Sequence, residues 1–220
     1  MRHVFVETNW VVDLVAPAHH RNPAAVRLYE RARSGELVLH VPAPCLVEAR
    51  PPIVQRFQPR EAKPVRKFLR WATREGIVTD DDAAATRRVL DALETSIERD
   101  LDAAALAGRL AALRTDAAVE VFPLDEAMLT RAVLLTELDL GLRPHDHAIL
   151  AAILVRTEQL ASSGEQDFCF ATLDGDLQPW VRGDPLRALC DRAQLWVYRD
   201  FELRVPVRPD GWPSRTATAD

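Results

Sequence analysis

Hydrophobic and polar positions along the chain alternate between short β-like runs and longer stretches with helical spacing. The first run, Val4, Phe5 and Val6, breaks off at Glu7-Thr8-Asn9, polar residues of the kind that open a helix. Similar runs at residues 37–41, 119–122, 168–172 and 195–198 predict four more strands. A helix is expected after Pro23, with Gly35 separating it from the second strand, and Pro44 suits the first position of a short helix that Pro51-Pro52 would stop. Over residues 61–75, Val65, Phe68, Leu69 and Ala72 recur on one helical face, while Lys63, Lys67, Arg70 and Arg74 share another. Asp80-Asp81-Asp82 looks like a capping cluster for a long helix carrying Val89, Leu93 and Ile97, and Leu106, Leu110 and Leu113 mark the next. Asp125 can cap a helix after the third strand; Pro144 opens another, with Ile149, Leu150, Ile153 and Leu154 on its apolar side.

Strands alternating with helices predict an α/β fold with a mostly parallel sheet covered by helices on both faces. The length suits one domain, residues 1–203, with a helical insertion at about 51–115, and a Pro-rich polar tail at 204–220 that is expected to be flexible. There is no internal repeat. In such folds ligands sit beyond the carboxyl ends of the strands, so residues at those ends are the ones to test for chemistry.

Two predicted strands end in carboxylates: the first runs into Glu7 and the fourth into Asp174 and Asp176. Glu48 follows the second strand on the short helix, and Asp146 lies in the first turn of the helix opened by Pro144. Asp146 stands three, four and seven residues before Ile149, Leu150 and Ile153, so it belongs to the core-facing stripe. If four carboxylates converged to about 6 Å, each pair would repel by roughly 3 kcal/mol at an effective dielectric of 20. Summed over the group, that is on the order of 15 kcal/mol, more than a typical domain's stability. Either some groups are protonated or a divalent cation binds, and all-oxygen ligation favours Mg²⁺ or Mn²⁺.

The segments VFVETN (Val4 to Asn9), PAPCLVE (Pro42 to Glu48), PHDHAILAAIL (Pro144 to Leu154) and FATLDGDL (Phe170 to Leu177) together resemble the PIN-domain ribonucleases, in that family's order. The resemblance implies a three-layer PIN-like fold with a parallel five-stranded sheet. It also implies a Mg²⁺ or Mn²⁺ site and catalytic centre made by Glu7, Glu48, Asp146 and Asp174, with Asp176 as an additional acidic ligand. Thr8, Asn9 and Thr172 would orient those carboxylates from behind. The implied activity is hydrolysis of RNA phosphodiester bonds, endonucleolytic, with water activated by the ion. Small members of the family serve as toxins held by an antitoxin, so the resemblance admits an antitoxin-type protein partner and a homodimer. The family usually has Asp where this chain has Glu7, which keeps open a non-catalytic RNA- or protein-binding module. A third reading takes Asp174 and Asp176 as a phosphatase nucleophile pair.

Composition alters this picture in one respect. The formal net charge of -5 excludes a generic polyanion binder, so RNA needs a local basic patch. Arg56, Arg60, Lys63, Arg66, Lys67, Arg70 and Arg74 supply one, and Phe57, Phe68 and Trp71 could add stacking surfaces, although Phe68 reads rather as a core residue. His145 and His147, flanking Asp146, could handle protons or simply be exposed first-turn residues. His19-His20 reads as a loop pair. Cys45, Cys169 and Cys190 are far apart and odd in number, which argues for buried free thiols rather than disulfides or zinc. With no apolar run long enough to span a bilayer and no leader pattern, a cytoplasmic location without a membrane is expected.

Overall fold

The computed structural model describes residues 1–57, 62–179 and 184–204. The elements run β1 (Arg2–Val6), α1 (Thr8–Val15), a 3₁₀ turn (Ala18–His20), α2 (Pro23–Arg33), β2 (Leu37–Pro42), α3 (Ala43–Glu48) and α4 (Arg50–Phe57). They continue with α5 (Ala62–Arg74), α6 (Asp80–Asp100), α7 (Ala103–Thr115), β3 (Val119–Phe122), α8 (Glu126–Thr136) and α9 (Pro144–Ser162). The chain then forms β4 (Phe168–Ala171), a second 3₁₀ turn (Gly175–Leu177), α10 (Asp184–Arg192) and β5 (Leu195–Tyr198).

All five strands are parallel, in the order β3-β2-β1-β4-β5. β1 and β4 are buried almost throughout, as strands covered on both faces must be. The chain therefore winds outward from β1 in one direction to β3, then returns to add β4 and β5 on the other side. With right-handed crossovers, the connections of the two halves pass over opposite faces. The place where they diverge, between the ends of β1 and β4, is the topological switch point and leaves a crevice.

The local signals act largely as their chemistry dictates. α2 ends in a Schellman motif: Gly35, at φ 78°, donates to Ala32 O at 3.0 Å and Glu36 donates to Arg31 O at 3.1 Å. Asp125 caps α8, accepting from Met128 N at 2.8 Å. Three expectations need correction. Pro51 and Pro52 do follow the early end of α3 at Glu48, but they also open a further helix, sitting in the first turn of α4, where their missing N–H groups cost nothing. The cap of α6 is Thr79, whose hydroxyl accepts from Asp82 N at 3.2 Å; the three aspartates fill the first turn. On α5, Leu69 and Ala72 are buried, but Phe68 is 62% exposed and Val65 is also exposed, so Phe68 is no core residue.

The insertion carries α4 to α7 and, among the described residues, no strand. The three cysteines are buried free thiols. No helix among the described residues is long and apolar enough to cross a membrane. The 205–220 tail lies outside the described residues, as does Arg60.

One polar chain crosses the sheet. Buried His3 and His40 face each other with Nδ1 and Nε2 2.9 Å apart; His3 Nε2 meets Glu165 Oε2 at 2.9 Å, and His40 Nδ1 meets Glu120 Oε2 at 2.7 Å. Arg156 on α9 completes it by pairing with Glu120. Each buried ring thus keeps polar partners, which is what makes its burial tolerable.

Candidate active site

Because Val6 and Ala171 are register partners, the chain leaves β1 and β4 side by side, and Glu7 and Thr172 emerge as neighbours. Glu7 is the N-cap of α1. Its Oε2 accepts from Asn9 N at 2.6 Å and its Oε1 from the Thr172 hydroxyl at 3.2 Å. Thr172, fully buried, in turn accepts from Asp174 N at 2.9 Å. Asp174 caps the following 3₁₀ turn, with Oδ1 accepting from Asp176 N at 2.9 Å. The acids at the two strand ends are thus linked through one threonine.

Glu48, the last residue of α3, reaches the same place. It accepts from the Thr8 hydroxyl, and its Oε2 lies 2.5 Å from His145 Nε2. Asp146, half-buried in the first turn of α9, faces it, with Ile149 below fully packed into the core. Glu7, Glu48, Asp146, Asp174 and Asp176 all line one cleft of about 250 Å³, with Thr8 and Asn9. The structure therefore brings together the acids that the sequence singled out, at the switch point of the sheet.

Their electrostatics are those of a crowded site. Burial pushes the Glu7 carboxyl up to about 7, against the opposing pull of the Asn9 and Thr172 hydrogen bonds, and the nearby Asp174 charge adds to the rise. Burial also raises Asp146, reinforced by the charges of Asp174 and Glu48. Among the described residues no three acidic, histidine or cysteine side chains stand close enough to hold one ion between them as placed. The donor set nonetheless fits Mg²⁺ or Mn²⁺: it is all oxygen, and Mg²⁺ typically keeps several waters while binding through one or two carboxylates.

The sequence pattern did not point to Arg143, which lines the cleft at the N-cap of α9; its backbone N–H donates to the Asp146 carboxyl, while its side chain has no ion-pair partner among the described residues. Its position directly before Pro144 was the available signal, since a helix opening beside acids places that side chain at the rim. His145 lines the cleft through its contact with Glu48, whereas His147 is buried.

The basic set is divided. Arg56 pairs with buried Asp13 at 3.1 Å, Arg66 with Asp91 and Glu94 of α6, and Arg74 with neighbouring Glu75. Lys63, Lys67 and Arg70 have no ion-pair partner among the described residues. Phe57 is buried and stacks on His20, centroids 5.0 Å apart, so it offers no surface. Comparison with protein-family models, with curated proteins and with solved structures finds no match to this chain.

Proposed function

We propose that the cleft is the centre of a PIN-like ribonuclease that takes Mg²⁺ or Mn²⁺ among Glu7, Glu48, Asp146 and Asp174, one or two of these carboxylates binding the ion directly and the others through its waters, with Asp176 as an additional acid. The observation that carries this reading is the meeting of Glu7 and Asp174 at the β1–β4 switch point, where burial, with a smaller push from the Asp174 charge, raises the Glu7 carboxyl to about 7. Such a group gains most from a cation. A divalent ion there supplies Lewis-acid stabilisation of a phosphoryl transition state and a more acidic bound water.

The chain's own residues define the remaining roles. Thr172 and the Asn9 amide hold the Glu7 carboxylate in one orientation, and Asx geometry at Asp174 fixes the other strand-end acid. Thr8 and His145 hold Glu48 to one side. Arg143, the cation at the rim, is suited to pairing with a substrate phosphate. Water reaches the centre, since Glu48 and Asp146 are only partly buried.

The test is cleavage of single-stranded RNA by purified protein with Mn²⁺ or Mg²⁺. Wild type is expected to cut, and Asp146→Asn to lose at least a hundredfold in rate. Equal cutting by Asp146→Asn overturns the assignment, and no cutting by wild type leaves a non-catalytic module as the better reading.

A further inference from the structure

Helix α5, none of whose residues lines the cleft, offers a second surface. Phe68 and Trp71 are 62% and 44% exposed, with ring centroids 5.5 Å apart and planes tilted by 41°. Residues 68 and 71 are three apart and so share a helical face. Lys63, Lys67 and Arg70 run along the adjoining face. Arg66, by contrast, turns to α6 and is neutralised by Asp91 and Glu94. The acidic partner helix thus takes one arginine and leaves three cations beside two bare aromatic rings.

Exposed aromatic rings are costly in water, and cations beside them with no ion-pair partner among the described residues, in a chain of net charge -5, mark a local preference for a polyanion. A polyanion that also presents flat π faces is single-stranded nucleic acid. Its unstacked bases lie on aromatic side chains while Lys and Arg follow the phosphates. A duplex buries its base faces, and an acidic peptide has no such faces to offer. Charge complementarity and ring exposure therefore favour one occupant.

We infer that the outer face of α5 is a stacking platform for single-stranded nucleic acid, with bases on Phe68 and Trp71 and phosphates on Lys63, Lys67 and Arg70. The platform goes beyond the cleft's proposed chemistry and stands or falls separately from it, because binding is read with no divalent ion present.

Fluorescence anisotropy with a labelled 15-nucleotide oligouridylate, in EDTA, tests the inference on the full chain. Wild type is expected to bind, with an equally long RNA duplex bound more weakly. Trp71→Ala should weaken binding about tenfold with little change in salt dependence, and Trp71→Phe should restore most of it. The Lys67→Gln/Arg70→Gln double variant should reduce the slope of log affinity against log salt by about 1.4, near 0.7 for each phosphate no longer neutralised. Circular dichroism and gel filtration confirm that each variant folds and keeps its size. The inference is overturned if oligouridylate does not bind, if polyglutamate competes as well as oligouridylate, or if Trp71→Ala binds like wild type. It is likewise overturned if Trp71→Ala alters self-association and leaves RNA affinity unchanged. Loss of cleavage in Asp146→Asn with oligouridylate binding intact separates this surface from the cleft.

Discussion

Thr172 Oγ1 donates to Glu7 Oε1 at 3.2 Å, joining the residues that follow adjacent strands β1 and β4. The same hydroxyl accepts from Asp174 N, so one buried side chain holds both strand-end acids in register. Thr172→Val keeps the volume and removes the oxygen. It is expected to cost about 1–3 kcal/mol of stability, as the buried carboxylate loses a donor, and to weaken Mn²⁺ binding by roughly tenfold or more. Chemical denaturation and Mn²⁺ titration of the same variant read the two effects.

Glu7 also gives a pH prediction with a definite sign. Its carboxyl is raised to about 7 from an ordinary value of 4.5, so the folded state retains a proton that the unfolded chain releases. The neutral form's contribution is full below pH 4.5 and is lost as pH rises through 7. Without divalent ions, this group therefore makes the protein less stable between pH 5 and 8. Mn²⁺ or Mg²⁺ should offset that loss increasingly towards pH 8, because only the deprotonated carboxylate binds a cation. Thermal melts from pH 5 to 8 in EDTA and in Mn²⁺ measure the difference, and Glu7→Gln should flatten the EDTA profile in that window.

A third prediction separates structural basic residues from those of the proposed platform. Arg56 holds Asp13, which is buried and also accepts from Asn22 Nδ2 at 2.7 Å. Because the Arg56 side chain is largely exposed, solvent screens the pair, and Arg56→Ala should cost only about 1 kcal/mol. RNA affinity should barely change, whereas losing Lys67, which has no ion-pair partner among the described residues, should lower it. Denaturation midpoints and anisotropy together distinguish the two classes.

Arg143 has a kinetic signature of its own. If it receives a substrate phosphate, Arg143→Ala should slow RNA cleavage about tenfold or more while Mn²⁺ affinity stays the same or rises slightly, since a cation leaves the cleft. Cleavage and Mn²⁺ titrations on one preparation check this. Weakened Mn²⁺ binding would instead mark Arg143 as a scaffold for the acids.

The sheet and its acids were legible in the sequence because parallel strands are short apolar runs with abrupt polar ends. Glu7 and Asp174 stood at such ends, and Asp146 betrayed its direction through Ile149 and Leu150 on the same stripe. What could not be read was which helical faces meet another element. Phe68 shares helical spacing with Leu69 and Ala72, yet only the latter two are covered, since periodicity shows that a face is apolar and not what packs on it. For the same reason Arg66 looked equivalent to Lys67, although an acidic helix lies against one and not the other. The His3–His40 pair was invisible because it depends on the register between β1 and β2.

Relief by bound divalent cation of the charge shared among Glu7, Asp146 and Asp174 is the condition on which the proposed activity depends. Electron paramagnetic resonance of free Mn²⁺ counts bound ions directly. Titrating wild-type protein at pH 8 should show saturable binding of one or two ions, at least tenfold weaker in Asp146→Asn and in Asp174→Asn with folding intact. Binding equally strong in both variants, or none in the wild type, would contradict it.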